Sequence, residues 1–368
     1  MTTQRHIAVQ VRPAAPAVLG YVAVRMVGLV ALWGAGGYSW PAFWGSLTEQ
    51  YDADWLLAVA SSGYDDGRDA PSNLAFFPLY PALVRGVGAV VGIPAGGLVV
   101  SWGAGLACAV ALYAIGRRMG NPSMGTAMAV LWGVLPHAVT QSMAYTETVF
   151  TALAAWTLFA LLGRQWILAG ALTALAGLAR PTAAALIAVT GTAMIVQLVR
   201  TRGRDWRAWI AGLMAPLGML GYIVWVSART GGLDGYLAIQ AGWGSSFDAG
   251  RYTARTFLVL LDGDAPLQYL MVSAVIVASV TLAAISASER VRWELQLYGL
   301  LVIILALGVA GYYQSKARLL MPAFTLLIPV ATWVSRMRPT TRFLVLSVLT
   351  LISAWYGTYL LIHAPYSP

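Results

Sequence analysis

Charge is scarce in this 368-residue chain: 10% of residues are Asp, Glu, Lys or Arg, against 59% that are apolar. A soluble domain carries about 25% charged residues, so that class is excluded. Cysteine is nearly absent. Cys108 stands alone in an apolar run, which excludes an intramolecular disulfide and leaves the redox compartment unread. The three histidines, His6, His137 and His363, lack the ligand spacing of a zinc site. Lysine occurs once, at Lys316, so arginine carries the net charge of +9. That excess does not imply nucleic acid, because membrane proteins gather positive charge in cytoplasmic loops. Also missing are the separate alternating segments of about ten residues that an outer-membrane barrel needs.

What is present is a mean hydropathy of +0.71 and a succession of apolar stretches of about 20 residues, the length that crosses a bilayer as a helix. The expected fold class is an all-α polytopic membrane protein. Eleven spans are predicted, near 16–37, 95–115, 123–139, 147–163, 166–179, 182–199, 208–227, 267–287, 295–312, 319–335 and 343–362. The first, following Arg5 and Arg12, is read as an uncleaved helix rather than a signal peptide. Segment 76–92, "FFPLYPALVRGVGAVVG", carries Pro78, Pro81 and Arg85 and is read as an interfacial helix. Counting it as a span would turn "RTRGRDWR" outward. With the N-terminus cytoplasmic, inner segments hold fourteen arginines against three carboxylates, and outer ones hold the other eleven carboxylates against eight cations. That asymmetry follows the positive-inside rule. Two long extracytoplasmic loops remain, 38–94 and 228–266, within one transmembrane domain of residues 1–368.

The first loop contains "YDADWLLAVASSGYDD". Asp65, Asp66 and Asp69, beside Gly63 and Gly67, read as turn formers. Asp52 and Asp54 differ: they sit among Tyr51, Trp55, Leu56 and Leu57, where a carboxylate near the interface needs a partner or a task. In soluble sugar transferases such a pair usually holds a metal on a nucleotide diphosphate. Nucleotide sugars would be on the wrong side of the membrane here.

The stretch "YDADWLLAVASSGY" followed by "LAFFPLYPALVR" resembles the tryptophan-aspartate and FFPLYP signature of the PIG-V family, the second mannosyltransferases of GPI-anchor assembly and their bacterial relatives. "SMAYTETVF" is similar to that family's AYSESLF segment, "GLARPTAAAL" to its arginine-containing helix break, "DGYLAIQAGWG" to the Q-x-x-W stretch of bacterial members, and "KARLLMPAFTLLIP" to its late Arg-then-Pro segment. The blocks keep the family's order over about residues 45–330. Tyr51 stands where the family usually has tryptophan. The resemblance implies a GT-C-type bundle that takes a sugar, mannose for this family, from a polyprenyl phosphate carrier at the outer face. A carboxylate of the first external loop would be the base. Glycosyl transfer to a lipid-linked, glycan or protein acceptor would follow.

That chemistry asks for few groups. A hydroxyl needs a base to take its proton, and a lipid phosphate leaves readily once its charge is stabilised. Asp52, at the tryptophan-aspartate position, is the candidate base, with Asp54 in reserve. Glu147 is a further candidate, or a helix-start carboxylate favoured by the dipole, and Tyr145 accompanies it. Arg180, before Pro181, is a substrate-binding candidate or an arginine reaching headgroups. Gln240 and Trp243, three apart, could share a helix face and hold a sugar or prenyl phosphate. Arg318 is expected to clamp the carrier phosphate as a bidentate fork, with Lys316 a second point charge. Arg25, inside the first span, is expected to face the bundle interior. No cofactor is expected; a divalent ion held by the aspartate pair is the competing role. Expected partners are the lipid-linked donor, the acceptor and membrane lipids, not nucleic acid. Two alternatives stay open. One is transfer of another sugar, arabinose or glucose. The other is a lipid or solute transporter, which would place charge mid-span and show two related halves.

Overall fold

The computed structural model describes residues 12–37, 39–260, 263 and 265–368; Arg5 and His6 lie outside them. The chain is predominantly helical, at 78% helix. Among the described residues six helices are long and apolar enough to cross a membrane: Ala15–Ala35, Ile93–Met119, Ala183–Thr201, Trp206–Thr230, Leu267–Ser288 and Pro339–Ile362. The bent pair Tyr313–Leu320 and Phe324–Arg336, broken by 68°, makes up to seven. Their hydropathy marks an integral membrane protein.

The count of eleven spans is not reached by that measure. Segments 123–139, 147–163, 166–179 and 295–312 contain helices of 12, 16, 12 and 16 residues, about 18–24 Å at 1.5 Å per residue. Two of these end just before Pro136 and Pro181, which cannot donate to the helix ladder and push the preceding residue off helical geometry. Segment 76–92 forms the 13-residue helix Leu79–Val91, also short for a span.

The break after Pro122–Gly133 decides where the site lies. Its irregular backbone runs among buried helices, where every carbonyl needs an internal donor. One donor is local and the others come from distant helices. Gln141 Nε2 donates to Trp132 O at 2.9 Å, and Ser353 Oγ to Leu135 O at 3.1 Å. Arg25 Nη1 donates to Ala138 O. Trp102 Nε1 reaches Ser142 O at 3.0 Å and Ser101 Oγ reaches Tyr145 O at 3.1 Å. The segment is thus pinned from three helices, and it delivers Tyr145 and Glu147 to fixed positions. Arg25, buried as expected, supplies one of those pins. Arg25→Met should remove the side-chain donor to the buried Ala138 carbonyl, at a cost of about 1–3 kcal/mol. Thermal unfolding followed by tryptophan fluorescence should show a lower midpoint, partly restored in Arg25→Lys; an unchanged midpoint would remove Arg25 from this role.

The two long loops pack together. Leu74 and Phe77 of the first form one apolar cluster with Tyr222, Val226, Tyr236 and Ile239. Tyr222 donates its hydroxyl to Leu74 O at 2.9 Å and Phe76 O at 2.8 Å. Further on, Ser246–Phe247 pairs antiparallel with Val309–Ala310, in the register Ser246↔Ala310 and Phe247↔Val309. That bridge ties the second loop to the chain just before Lys316 and Arg318. A second apolar cluster, including Ala53, Leu56, Leu57, Tyr80, Ala144 and Tyr145, fastens helix Asp52–Ser62 against the irregular segment. Gly97 sits between the two; a Cβ there would come within 2.9 Å of both Ala144 and Leu57.

Candidate active site

Asp52 and Asp54 occupy the first turn of helix Asp52–Ser62, where the unpaired N–H groups and the helix dipole favour negative charge. Tyr51 precedes them at φ 56°, ψ −125°, a backbone conformation that a bulky residue rarely adopts. Strained residues of this kind cluster at functional sites. Asp54 points outward and is exposed; Asp52 is half-buried. Glu147 is the first residue of helix Glu147–Leu162 and its side chain is 2% exposed. Arg180 fills the break between helices Trp166–Gly177 and Ala183–Thr201. Arg318 lies in the short helix Lys316–Leu320, one turn before the bend of the broken pair.

These four side chains meet. Arg318 Nη1 is 2.7 Å from Asp52 Oδ2, and Arg318 Nε is 3.5 Å from Glu147 Oε1. Arg180 Nη1 is 2.5 Å from the same Glu147 oxygen. The result is a chain of alternating charge, Asp52, Arg318, Glu147, Arg180, with two carboxylates balancing two guanidiniums. A buried carboxylate requires such pairing, since an isolated one would cost several kcal/mol. The guanidinium of Arg318 also lies over the Tyr145 ring, 5.2 Å from its centroid. Burial first, then the charge of Asp52, raises the Tyr145 phenol above its ordinary value, so it stays neutral beneath the cation. The Arg318 side chain is 9% exposed, whereas that of Asp52 is 33% exposed, so the carboxylate is the member of the pair open to a substrate.

One face of the cluster is aromatic. Trp55, one turn after Asp52, meets Trp243 edge-on at 5.0 Å and stacks on Phe76 at 6.2 Å; Phe76 meets Trp243 edge-on at 5.4 Å. Trp243 Nε1 donates to Ser72 O at 2.8 Å, and the Tyr312 hydroxyl donates to Trp243 O at 2.5 Å. Trp243 therefore joins the wall beside Asp52. Gln240 turns to Tyr236, with Nε2 2.9 Å from its hydroxyl and 3.4 Å from Ala75 O. Lys316 turns away from the carboxylates: Nζ donates to Ala306 O at 3.0 Å and Val309 O at 2.6 Å, at the end of helix Trp293–Gly308. There it satisfies carbonyls the helix leaves unpaired.

Asp65 organises the first loop. It accepts from Gly67 N at 2.9 Å, Ser72 Oγ at 2.7 Å and Asn73 N at 2.7 Å. Trp55, Phe76 and Tyr312 were not among the residues singled out from sequence. The first two lie inside the "YDADW" and "FFPLYP" stretches and could have been found there; Tyr312 carries no sequence signal. Among the described residues no three His, Cys, Asp or Glu side chains converge as metal ligands.

No family model matches the chain, and no curated protein matches it. Its overall shape resembles solved structures of the Archaeoglobus fulgidus oligosaccharyltransferase. One is tethered to an acceptor peptide containing the NVT sequon, with 11% identity and a TM-score of 0.46 over 93% of this chain and 54% of that one. The other is the apo form, with 12% identity and a TM-score of 0.45 over 93% and 55%. The chain spans about half the length of those proteins.

Proposed function

We propose that this protein is an inverting membrane glycosyltransferase that moves mannose from polyprenyl phosphomannose to a glycolipid, glycan or protein hydroxyl at the extracytoplasmic face. The observation that carries the reading is the ion-paired cluster of Asp52, Arg318, Glu147 and Arg180 beside the Trp55–Phe76–Trp243 wall. The mannose assignment is supported by the PIG-V-like blocks at these same residues.

In the proposed reaction Asp52 Oδ1 accepts the proton of the acceptor hydroxyl as its oxygen attacks the anomeric carbon. The bond from that carbon to the phosphate oxygen breaks, and the electron pair leaves on the carrier phosphate. Negative charge grows there, and the Arg318 guanidinium meets it with a charge-assisted hydrogen bond. Glu147 holds Arg318 and Arg180 in register. Trp243 and Trp55 offer flat apolar faces to the sugar's C–H surface. A metal ion on Asp52 would face the guanidinium already bound to it, which disfavours the competing role.

The test offers purified protein in lipid nanodiscs a panel of polyprenyl phosphate-linked mannose, glucose and arabinose with a membrane-derived acceptor extract, with and without EDTA. Mannose transfer insensitive to EDTA is expected. Preference for glucose or arabinose would replace the sugar assignment, and no transfer from any donor would refute the reading.

A further inference from the structure

Tyr51 stands in a backbone conformation that suits glycine. The turn 50–53 is closed by Ala53 N donating to Gln50 O at 3.2 Å, and Tyr51 holds its first central position at φ 56°, ψ −125°. Those are the angles of a type II′ turn, about (60°, −120°), a position that glycine fills because it has no Cβ to clash. A tyrosine there strains the backbone immediately before Asp52. Nothing in the packing offsets that strain. Among the described residues, Tyr51 joins none of the buried apolar clusters, and its side chain makes no hydrogen bond, ion pair or ring contact. It is 37% exposed.

A side chain that strains the fold, holds nothing in it and adjoins the reacting carboxylate has its use in a ligand. Which ligand follows from the two sides of Asp52. One carboxylate oxygen meets the buried Arg318, where the leaving phosphate gathers charge. In an inverting displacement the attacking oxygen lies opposite the leaving one, so the acceptor enters on the open side of Asp52. Tyr51 and Asp54, before and after it, are both exposed. The ring therefore flanks the acceptor's approach. Residues 39–67 hold Glu49, Asp52, Asp54, Asp65 and Asp66 and no lysine or arginine. An acceptor with a phosphate beside its reacting hydroxyl would be repelled there.

We propose that the Tyr51 ring is the platform for the acceptor, and that the acceptor offers Asp52 a hydroxyl of an uncharged sugar. The inference rests on the glycosyltransferase reading above and names the acceptor class which that reading leaves open. A sugar ring meets both groups at once: its C–H face covers the tyrosine, and one of its hydroxyls reaches the carboxylate. A serine or threonine of a protein would give Asp52 its hydroxyl and leave the ring uncovered.

The test uses the full protein in nanodiscs, with polyprenyl phosphomannose as donor and methyl mannoside, methyl glucoside or a serine-containing peptide as acceptor probe. Tyr51→Gly relieves the turn and removes the ring. Its unfolding midpoint should rise by about 2–4 °C, while KM for the sugar probes rises about tenfold, the scale of one aromatic contact, and donor KM stays within twofold. Tyr51→Ala should show the same acceptor defect without the gain in midpoint, and Tyr51→Phe and Tyr51→Trp should keep acceptor KM within threefold. A midpoint that does not rise in Tyr51→Gly would show that the ring supports the fold and overturn the assignment. So would an unchanged acceptor KM, or a donor KM that rises equally. Preference for the serine peptide over both sugars would overturn the acceptor class. Saturation-transfer NMR of methyl mannoside separates this proposal from the reading beneath it. Binding lost in Tyr51→Gly, in a wild type that transfers from no donor, would keep the platform and sink the glycosyltransferase; a wild type that transfers to the membrane extract but binds neither sugar would sink the platform alone.

Discussion

Asp52→Asn is expected to retain the fold and donor binding while turnover falls about 10²–10⁴-fold, the contribution of a positioned general base. The amide keeps the shape of the carboxylate, and its oxygen can still accept the bond that Asp52 Oδ2 takes from Arg318. It cannot take a proton from the acceptor. Asp54→Asn is the matched control: Asp54 shares the first helical turn, but its side chain is exposed and outside the ion-paired cluster. Its effect should be much smaller. If instead the two variants are equally impaired and chelator abolishes wild-type activity, both aspartates hold a divalent ion.

Arg318→Ala should raise the donor KM and lower turnover by roughly two orders of magnitude, the scale of losing one charge-stabilising donor at a reacting centre. A second effect accompanies it. Asp52 and Glu147 both pair with Arg318, so its removal strands carboxylate charge in a buried site, at about 3–5 kcal/mol for a broken buried pair. Arg318→Lys separates the two. Its ammonium preserves the charge balance but cannot bridge both carboxylates and a phosphate as a planar fork does. Folding should largely recover in Arg318→Lys while donor KM stays high. Unchanged donor kinetics in either variant would return Arg318 to a structural role.

Much of this architecture can be read locally. Hydropathy alone marks membrane helices, because a span must be apolar along its whole length. The number of spans is less legible, because hydropathy does not report where a helix ends. The apolar run 123–139 continues past Gly133 as irregular backbone, pinned by side chains from distant helices that leave no trace in the run itself. The site divides the same way. Asp52, Glu147 and Arg318 stand out as charges against apolar surroundings. Their pairing does not, since Arg318 lies far along the chain from both carboxylates and Arg180 could as well have reached a headgroup. Lys316 shows the limit from the other side. Two residues from Arg318 and alike in charge, it points to the carbonyls of Ala306 and Val309 because the short helix carries the two side chains to different faces. His137 reads as an isolated histidine in the sequence; that its two ring nitrogens are buried without a hydrogen-bond partner follows from tertiary packing alone.

The central claim is that a sugar leaves a lipid phosphate at the Asp52–Arg318 pair. The most direct measurement is a single-turnover reaction in sealed proteoliposomes, with polyprenyl phosphomannose labelled in both sugar and phosphate and acceptor extract on the loop side. In the wild type, the sugar label should pass to the acceptor in step with release of unglycosylated polyprenyl phosphate, and Asp52→Asn should bind the donor while doing neither. Transfer by Asp52→Asn at the wild-type rate, or movement of doubly labelled donor across the bilayer with its sugar–phosphate bond intact, would contradict it.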